Sequence, residues 1–177
     1  MFRRASGVFV LVWLISVVSV AARQTPPAAA YRPPPAPAQP IGYSHKTHVS
    51  QGLTCGTCHK SATTEDHATL PPTVTCMGCH ASIKADSAEI QKLRKFDDDK
   101  QDVPWARVYR LADYVYFSHQ VHAAAKPSIT CDTCHGSVPD MDQMQKVKDI
   151  SMAACIDCHK QRSAPVTCAN TCHDARG

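Results

Sequence analysis

The chain is poor in aromatic residues, with eleven Phe, Trp and Tyr among 177. A domain of this size therefore has few large side chains with which to fill an apolar interior. It has no basic patch interleaved with aromatics, which excludes nucleic acid as a sensible partner. It has no cysteine left over: all ten fall into five pairs, and each pair is followed at once by a histidine. No structural bridge or catalytic thiol remains outside that pattern. The longest apolar run, "GVFVLVWLISVVSVAA" at 7–22, has sixteen residues, short of the roughly 20 that a spanning helix prefers.

The pairs are Cys55, Cys58 with His59; Cys76, Cys79 with His80; Cys131, Cys134 with His135; Cys155, Cys158 with His159; and Cys168, Cys172 with His173. Four read C-x-x-C-H, and the fifth, "CANTCH", carries one extra residue. C-x-x-C-H is the sequence form of covalent c-type haem attachment. Two thiols must reach the two vinyl groups of one porphyrin, and the next imidazole must reach the iron from one face. Paired cysteines also occur in zinc sites and in disulfide frameworks. Neither requires a histidine directly after every second cysteine, so five c-type haems are the expectation.

Each low-spin haem iron takes a second axial ligand. Five of the ten histidines lie outside the motifs: His45, His48, His67, His119 and His122. Four of them form two pairs in like contexts, "YSHKTH" at 43–48 and "YFSHQVH" at 116–122. A spacing of three puts both imidazoles of a pair on one side of a helical turn, from which they can serve two different irons. His67, in the polar stretch "TTEDHATLPP", reads equally well as a surface residue. Met141, Met144 and Met152 near the fourth motif are candidates for a His/Met site, which would raise one potential relative to bis-His. Saturated axial positions favour electron transfer over catalysis. A haem enzyme of the pentahaem nitrite reductase kind would need a vacant iron, commonly with lysine for a motif histidine, and all five motifs here end in His.

The duplication extends to "LTCGTCHKS" at 53–61 and "ITCDTCHGS" at 129–137. Two related haem-pair units, about 43–80 and 117–159, are followed by a fifth site at 168–173; such self-similarity outranks local structure calling. The pentahaem domain is expected at 43–177, mostly irregular with short α-helices packed around the haems and little or no sheet. Between the units, Ile83, Ile90 and Leu93 share one face of an amphipathic helix over "SAEIQKLRKF", ended by "DDDKQDVP" with Pro104 as breaker.

Residues 1–6 form a positive flank, 7–23 a transmembrane signal-anchor and 24–42 a Pro/Ala-rich spacer, the stretch 24–40 holding seven of the thirteen prolines. A cleaved signal ending at Ala22 also fits the run; the expectation is a retained anchor. Arg3 and Arg4 hold the N-terminus in the cytoplasm and put the haem domain on the periplasmic side of the inner membrane. The spacer is semi-rigid and extended, lifting the domain off the membrane or lying along a partner, or else an unpartnered linker. The formal charge of +4 falls to about −6 once ten haem propionates are added, and returns to about −1 when all irons are ferric.

The "FSHxxH" pairs followed by C-x-x-C-H resemble the class III multihaem cytochromes c. More specifically, "VPWARVYRLADYVYFSHQVH" at 103–122, "CDTCHGSVPDM", "ISMAACIDCHK" and "LPPTVTCMGCHASI" resemble the pentahaem subunit of bacterial alternative complex III, over nearly all of 43–177. The chain has "MAAC" at 152–155 where that family writes "MGWC". The resemblance implies a membrane quinol oxidoreductase in which menaquinol is oxidised at polytopic subunits and electrons leave through haems to a periplasmic cytochrome c or blue-copper acceptor. Iron-sulfur and monohaem cytochrome c subunits are the implied partners, and an N-terminal membrane helix is implied on this subunit. It also implies distal ligation by His45, His48, His119 and His122, with the "HGxVxxM" pattern landing on Met141 for the fifth iron, in competition with His67 or Met152. From the class III pattern, His45 is expected opposite His59 and His119 opposite His135; the irons served by His48 and His122 stay unassigned. The alternative plan is a free-standing, membrane-anchored multihaem quinol dehydrogenase or a periplasmic carrier feeding a terminal reductase. The spacer argues against the former, which usually sets its first haem close to the membrane.

Overall fold

The computed structural model describes residues 30–125, 129–169 and 171–174. The anchor expected at 7–23, and the cleavage site at its end, lie outside them. Among the described residues no helix is long and apolar enough to cross a membrane.

A compact unit runs from Tyr31 onward. Its elements are short: α1 (His45–Ser50), α2 (Cys55–Cys58), the 3-10 turn η1 (Lys60–Thr63), α3 (Thr73–His80), α4 (Ala88–Asp98), α5 (His119–Ala124), α6 (Cys131–His135), the 3-10 turn η2 (Val138–Asp140) and α7 (Met152–Gln161). No β-strand occurs among the described residues, where the one bridge joins Ala169 to His173. The irregular, short-helix plan read from the sequence is the one observed.

Serine sets where many of these helices begin. Ser44, Ser87, Ser118 and Ser151 each accept a hydrogen bond from the backbone N–H three residues on, at 3.0–3.3 Å, satisfying one of the orphan donors of the first turn. Because Ser87 starts α4 at Ala88, only Ile90 and Leu93 of the expected apolar face lie in the helix and are buried. Ile83 falls in the preceding turn, where it is 55% exposed. The helix also ends before Pro104: Asp99 is its C-cap, and Lys100 follows in a left-handed conformation with φ 55°.

Ile41, Met77, Ile90, Leu93 and Val103 form the buried apolar cluster, with Cys76, Phe96 and Trp105 packed on its edge. All five belong to the N-terminal half, around α3 and α4. No described side chain is fully buried. Val74, Tyr114, Tyr116, Val121 and Met152 are each between 58% and 73% exposed. A polypeptide that leaves this much apolar side chain uncovered has an interior completed by something else.

Much of the proline-rich stretch belongs to this unit. Gln143 and Gln145 donate their side-chain amides to the carbonyls of Pro37 and Pro34, at 3.2 and 2.9 Å. The Tyr31 hydroxyl donates to the Lys146 carbonyl at 3.2 Å, and Gln39 exchanges two 2.9 Å hydrogen bonds with the backbone of Ala106. An extended proline segment has no internal hydrogen bonds, so its carbonyls are free to take these amides. Residues 31–37 therefore lie along the chain's own 143–146 segment, and Gln39 beside Ala106.

Candidate haem-binding site

Each C-x-x-C-H motif sits on or closes a short helix, which turns its cysteines and histidine toward one side. The repeated threonines before motifs one and three act alike: the Thr54 and Thr57 hydroxyls lie 3.1 Å apart, and those of Thr130 and Thr133 lie 3.3 Å apart. The ten cysteines are unpaired with one another. Among the described residues no group of three or more His, Cys, Asp or Glu is arranged to hold a bare metal ion.

The motif histidines are oriented through Nδ1. That atom lies 3.2 Å from the Thr69 carbonyl in His59, 2.9 Å from Ile83 in His80, 2.6 Å from Pro165 in His159 and 3.1 Å from Tyr114 in His173. An Nδ1–H donated to a carbonyl leaves the Nε2 lone pair for a metal. His135 is instead flanked edge-on by the Tyr109 ring, at 4.6 Å between centroids. The Tyr109 hydroxyl accepts the Val147 and Lys148 N–H groups at 3.0 and 3.2 Å.

The non-motif pairs are built to one pattern. His48 Nδ1 lies 2.8 Å from the Ser44 carbonyl, and His122 Nδ1 lies 2.7 Å from that of Ser118. The Tyr43 ring stands edge-on to His45 at 4.8 Å and stacks on His48 at 4.4 Å. Phe117 does the same to His119 and His122, at 4.8 and 4.4 Å. The half-buried Tyr43 hydroxyl has its pKa pushed up to about 12 by burial and then by the nearby Cys58 and Cys76.

Across the gap, the His48 and His80 rings have centroids 6.0 Å apart, and His122 and His159 rings 6.1 Å. Two imidazoles that held one metal between them, each at about 2 Å, would have centroids roughly this far apart. Burial first, and then the nearness of His59 to His45 and of His119 to His135, lowers the pKa of both His45 and His135 and so favours the neutral imidazole that a metal requires. His45 Nδ1 is buried with no hydrogen-bond partner, while His119 Nδ1 lies 3.1 Å from the Asp66 carbonyl.

The other candidates lie elsewhere. The Met141 carbonyl accepts the Lys46 N–H at 3.1 Å, which puts it beside α1; its side chain is half-buried and His67 is exposed. Met152, at the start of α7, is 68% exposed. Around His173, a cavity is lined by Asp113, Tyr114, Tyr116 and Asp174.

These residues fit covalently held haem: thiol pairs beside an Nδ1-anchored imidazole, facing rings at trans-axial spacing, and apolar side chains left for a porphyrin to cover. Bound there, the group supplies a one-electron couple whose potential follows its axial ligands, hydrogen bonds and burial.

Fold and site together define a multihaem c-type cytochrome, an electron-transfer protein. The sequence profile of cytochrome c3 matches residues 47–136, a span that takes in the first three motifs and the second histidine pair. The chain belongs to the cytochrome c3 family. It is 30% identical over 115 residues to the "Menaquinone reductase, multiheme cytochrome c subunit" of Nitratidesulfovibrio vulgaris (strain Hildenborough), a match covering 59% of this chain and 55% of that protein. The chain thus spans about half the length of the curated relative it matches.

His48 and His122, whose irons the sequence left unassigned, each have a motif-histidine ring about 6 Å away, those of His80 and His159. Sequence reasoning missed the carbonyls that orient the motif histidines and the part of Tyr109 beside His135. The carbonyls belong to residues of any kind, such as Thr69, Ile83 and Pro165, so the sequence holds no mark for them.

Proposed function

We propose that this chain is the pentahaem electron-transfer subunit of a membrane-bound quinone oxidoreductase of the alternative complex III type. In this reading, electrons from menaquinol pass through five c-type haems toward a periplasmic cytochrome c or blue-copper acceptor. The observation that carries it is the duplicated facing of His48 with His80 and His122 with His159 at 6.0 and 6.1 Å. Two such sites in one small unit suit relay better than substrate chemistry. The relative's name, a menaquinone reductase subunit, supports a quinone-linked complex and favours a second reading in which electrons run the other way, toward menaquinone.

In this proposal Cys55, Cys58, Cys76, Cys79, Cys131, Cys134, Cys155, Cys158, Cys168 and Cys172 hold the porphyrins, and His59, His80, His135, His159 and His173 are the proximal ligands. The distal ligands are His45 opposite His59, His48 opposite His80, His119 opposite His135 and His122 opposite His159. Met141 is the proposed fifth, as the half-buried one among itself, His67 and Met152. The chain is anchored through residues 7–23, with its haem domain in the periplasm, beside polytopic, iron-sulfur and monohaem cytochrome subunits.

A pyridine haemochrome assay of the purified protein tests the reading: five haems per chain are expected, and fewer would sink the count. His48→Ala and His122→Ala are each expected to convert one low-spin ferric signal to high spin. Met141→Ala is expected to remove a thioether-to-iron absorption band that His67→Ala leaves in place. Purification of the subunit without polytopic partners under mild detergent would count against the complex.

A further inference from the structure

Among the described residues, three other than glycine hold the left-handed backbone conformation that L side chains rarely adopt: Lys84 at φ 53°, Lys100 at 55° and Ser163 at 53°. Lys100 has an ordinary use. It follows the C-cap of α4, and the N–H groups of Lys100 and Gln101 reach the carbonyls of Asp97 and Phe96 at 3.1 and 2.9 Å, the pair of bonds that closes a helix in a Schellman turn. The other two stand at one place in the duplicated plan. Lys84 comes four residues after His80, and Ser163 four after His159. These are the second motif histidines of the two units, whose rings lie 6.0 and 6.1 Å from those of His48 and His122. The Lys84 and Ser163 side chains are exposed, so their packing does not account for the backbone they adopt. A residue held in this conformation costs stability and persists where its surroundings over-determine it.

Each of these two turns delivers the carbonyl that its histidine uses. At the end of α7, Ser163 and Ala164 close a Schellman turn, their N–H groups donating to the carbonyls of Lys160 and His159 at 3.3 and 2.8 Å. The turn therefore closes on the motif histidine itself, and the next residue, Pro165, sets its carbonyl 2.6 Å from the His159 Nδ1. After α3, the Ile83 carbonyl lies 2.9 Å from the His80 Nδ1. That carbonyl belongs to the peptide joining Ile83 to Lys84, the plane from which the φ of Lys84 turns the chain. Just beyond, the Lys84 carbonyl accepts the Ser87 N–H at 2.9 Å, at the start of α4. With the chain held on both sides, a change of φ at Lys84 rotates the Ile83 carbonyl away from the imidazole. His59 and His173 take their carbonyls from Thr69 and Tyr114, ten and 59 residues away. The local turn belongs to the second motif of each unit.

We propose that Lys84 and Ser163 are positioning residues, whose left-handed backbone points the Ile83 and Pro165 carbonyls at the motif imidazoles and so fixes the planes of the His80 and His159 rings. This rests on the haem-ligand reading above and adds to it what sets the orientation of two ligands. The His48 and His80 rings are inclined at 66°, and those of His122 and His159 at 38°. Axial imidazoles nearer perpendicular give a low-spin ferric haem a more anisotropic magnetic signal than imidazoles nearer parallel. The two sites thus carry distinguishable signatures, each governed by its own turn. An exposed residue outside the ligand set adjusts a redox site through the hydrogen bond that orients its ligand.

The test is electron paramagnetic resonance of the intact, fully oxidised holoprotein. Lys84→Val is expected to shift one low-spin ferric signal, the more anisotropic of the two, and Ser163→Val the other, because a β-branched residue does not hold this conformation. Lys84→Gly and Ser163→Gly, which hold it freely, are expected to leave both signals in place. Lys100→Val imposes the same backbone strain where no histidine depends on it, and is expected to shift neither. Valine variants at 84 and 163 that leave both signals in place would overturn the proposal, as would an equal shift from Lys100→Val or from the glycine variants. Where a valine variant does not fold, Lys84→Ala or Ser163→Ala is measured in its place; a smaller shift of the same signal is expected, and no shift overturns the proposal. Wild-type protein without low-spin signals would instead remove the ligand reading beneath, and the proposal with it.

Discussion

The first and second units share their ligand geometry to about a tenth of an ångström and share almost nothing of their packing. Tyr43 and Phe117 hold their histidine pairs at the same ring distances, 4.8 and 4.4 Å. Yet every residue of the buried apolar cluster, from Ile41 to Val103, lies around the first unit and α4. The second unit has no buried apolar side chain among the described residues. The geometry of each histidine pair is therefore specified locally, by a serine, an aromatic ring and a spacing of three. Support from the rest of the chain is independent of it.

The largest expected effect follows from that contrast. The double variant C131A/C134A removes the group on which the second unit depends, and is expected to leave residues beyond Thr130 open to limited proteolysis. C76A/C79A, beside the α4 cluster, is expected to keep its proteolytic resistance. Equal sensitivity would break the comparison. Next, Leu93→Ala, at a site 4% exposed, should destabilise the holoprotein by about 3 kcal/mol through lost burial and the cavity left behind, read from the denaturant midpoint.

A smaller loss is expected at Gly136, which stands where the first unit has Lys60. Its φ of 71° with ψ of −169° is backbone open essentially to glycine, and a Cβ there would run into Val147. Gly136→Ala should cost about 2 kcal/mol, with Lys60→Gly well below that. Loss of the helix caps sharpens the comparison further. Ser118→Ala should cost about 1 kcal/mol, and Ser44→Ala more by about 0.5 kcal/mol, because the Ser44 hydroxyl also donates to Asp142.

The smallest effect is the acid sensitivity that α4 adds beside the first unit. Glu89 is held below the usual carboxylate range by its hydrogen bond to Lys92 and then by the Gly42 N–H, at 2.7 and 2.6 Å. A depressed folded pKa gives stability that is present above the ordinary carboxylate value and is lost as pH falls through the folded one. Glu89→Gln should flatten that part of the acid unfolding curve and leave in place the part set by Asp132, which its hydrogen bond with Thr130 holds below the usual carboxylate range.

What the sequence made legible was chemistry that must be written in residue types. Thiol pairs, the histidine after each, the paired imidazoles and their duplication all depend on particular side chains, and the short helices follow from serine caps that can be read directly. What it hid was anything done by backbone. The carbonyls of Thr69, Ile83 and Pro165 could belong to any residue. The seating of α1 on the Met141 carbonyl and of α5 on those of Asp66 and Glu65 joins segments more than fifty residues apart through N–H and C=O groups that almost every amino acid carries. The hydrogen bonds of the proline-rich stretch were hidden for a related reason: the side chains of two glutamines at 143 and 145 bind backbone carbonyls there, at Pro37 and Pro34. Ile83 kept its place in the apolar period but fell outside the helix, because Ser87 began α4 after it.

The seating of α1 also has a consequence in time. A chain made from its N-terminus presents its first histidine pair and first two thiol pairs long before Met141 and Asp142, on which α1 rests, have been made. The leading helix then has no seat until the trailing half arrives. A nascent chain stopped before residue 140 is thus expected to hold its first histidine pair in no settled geometry.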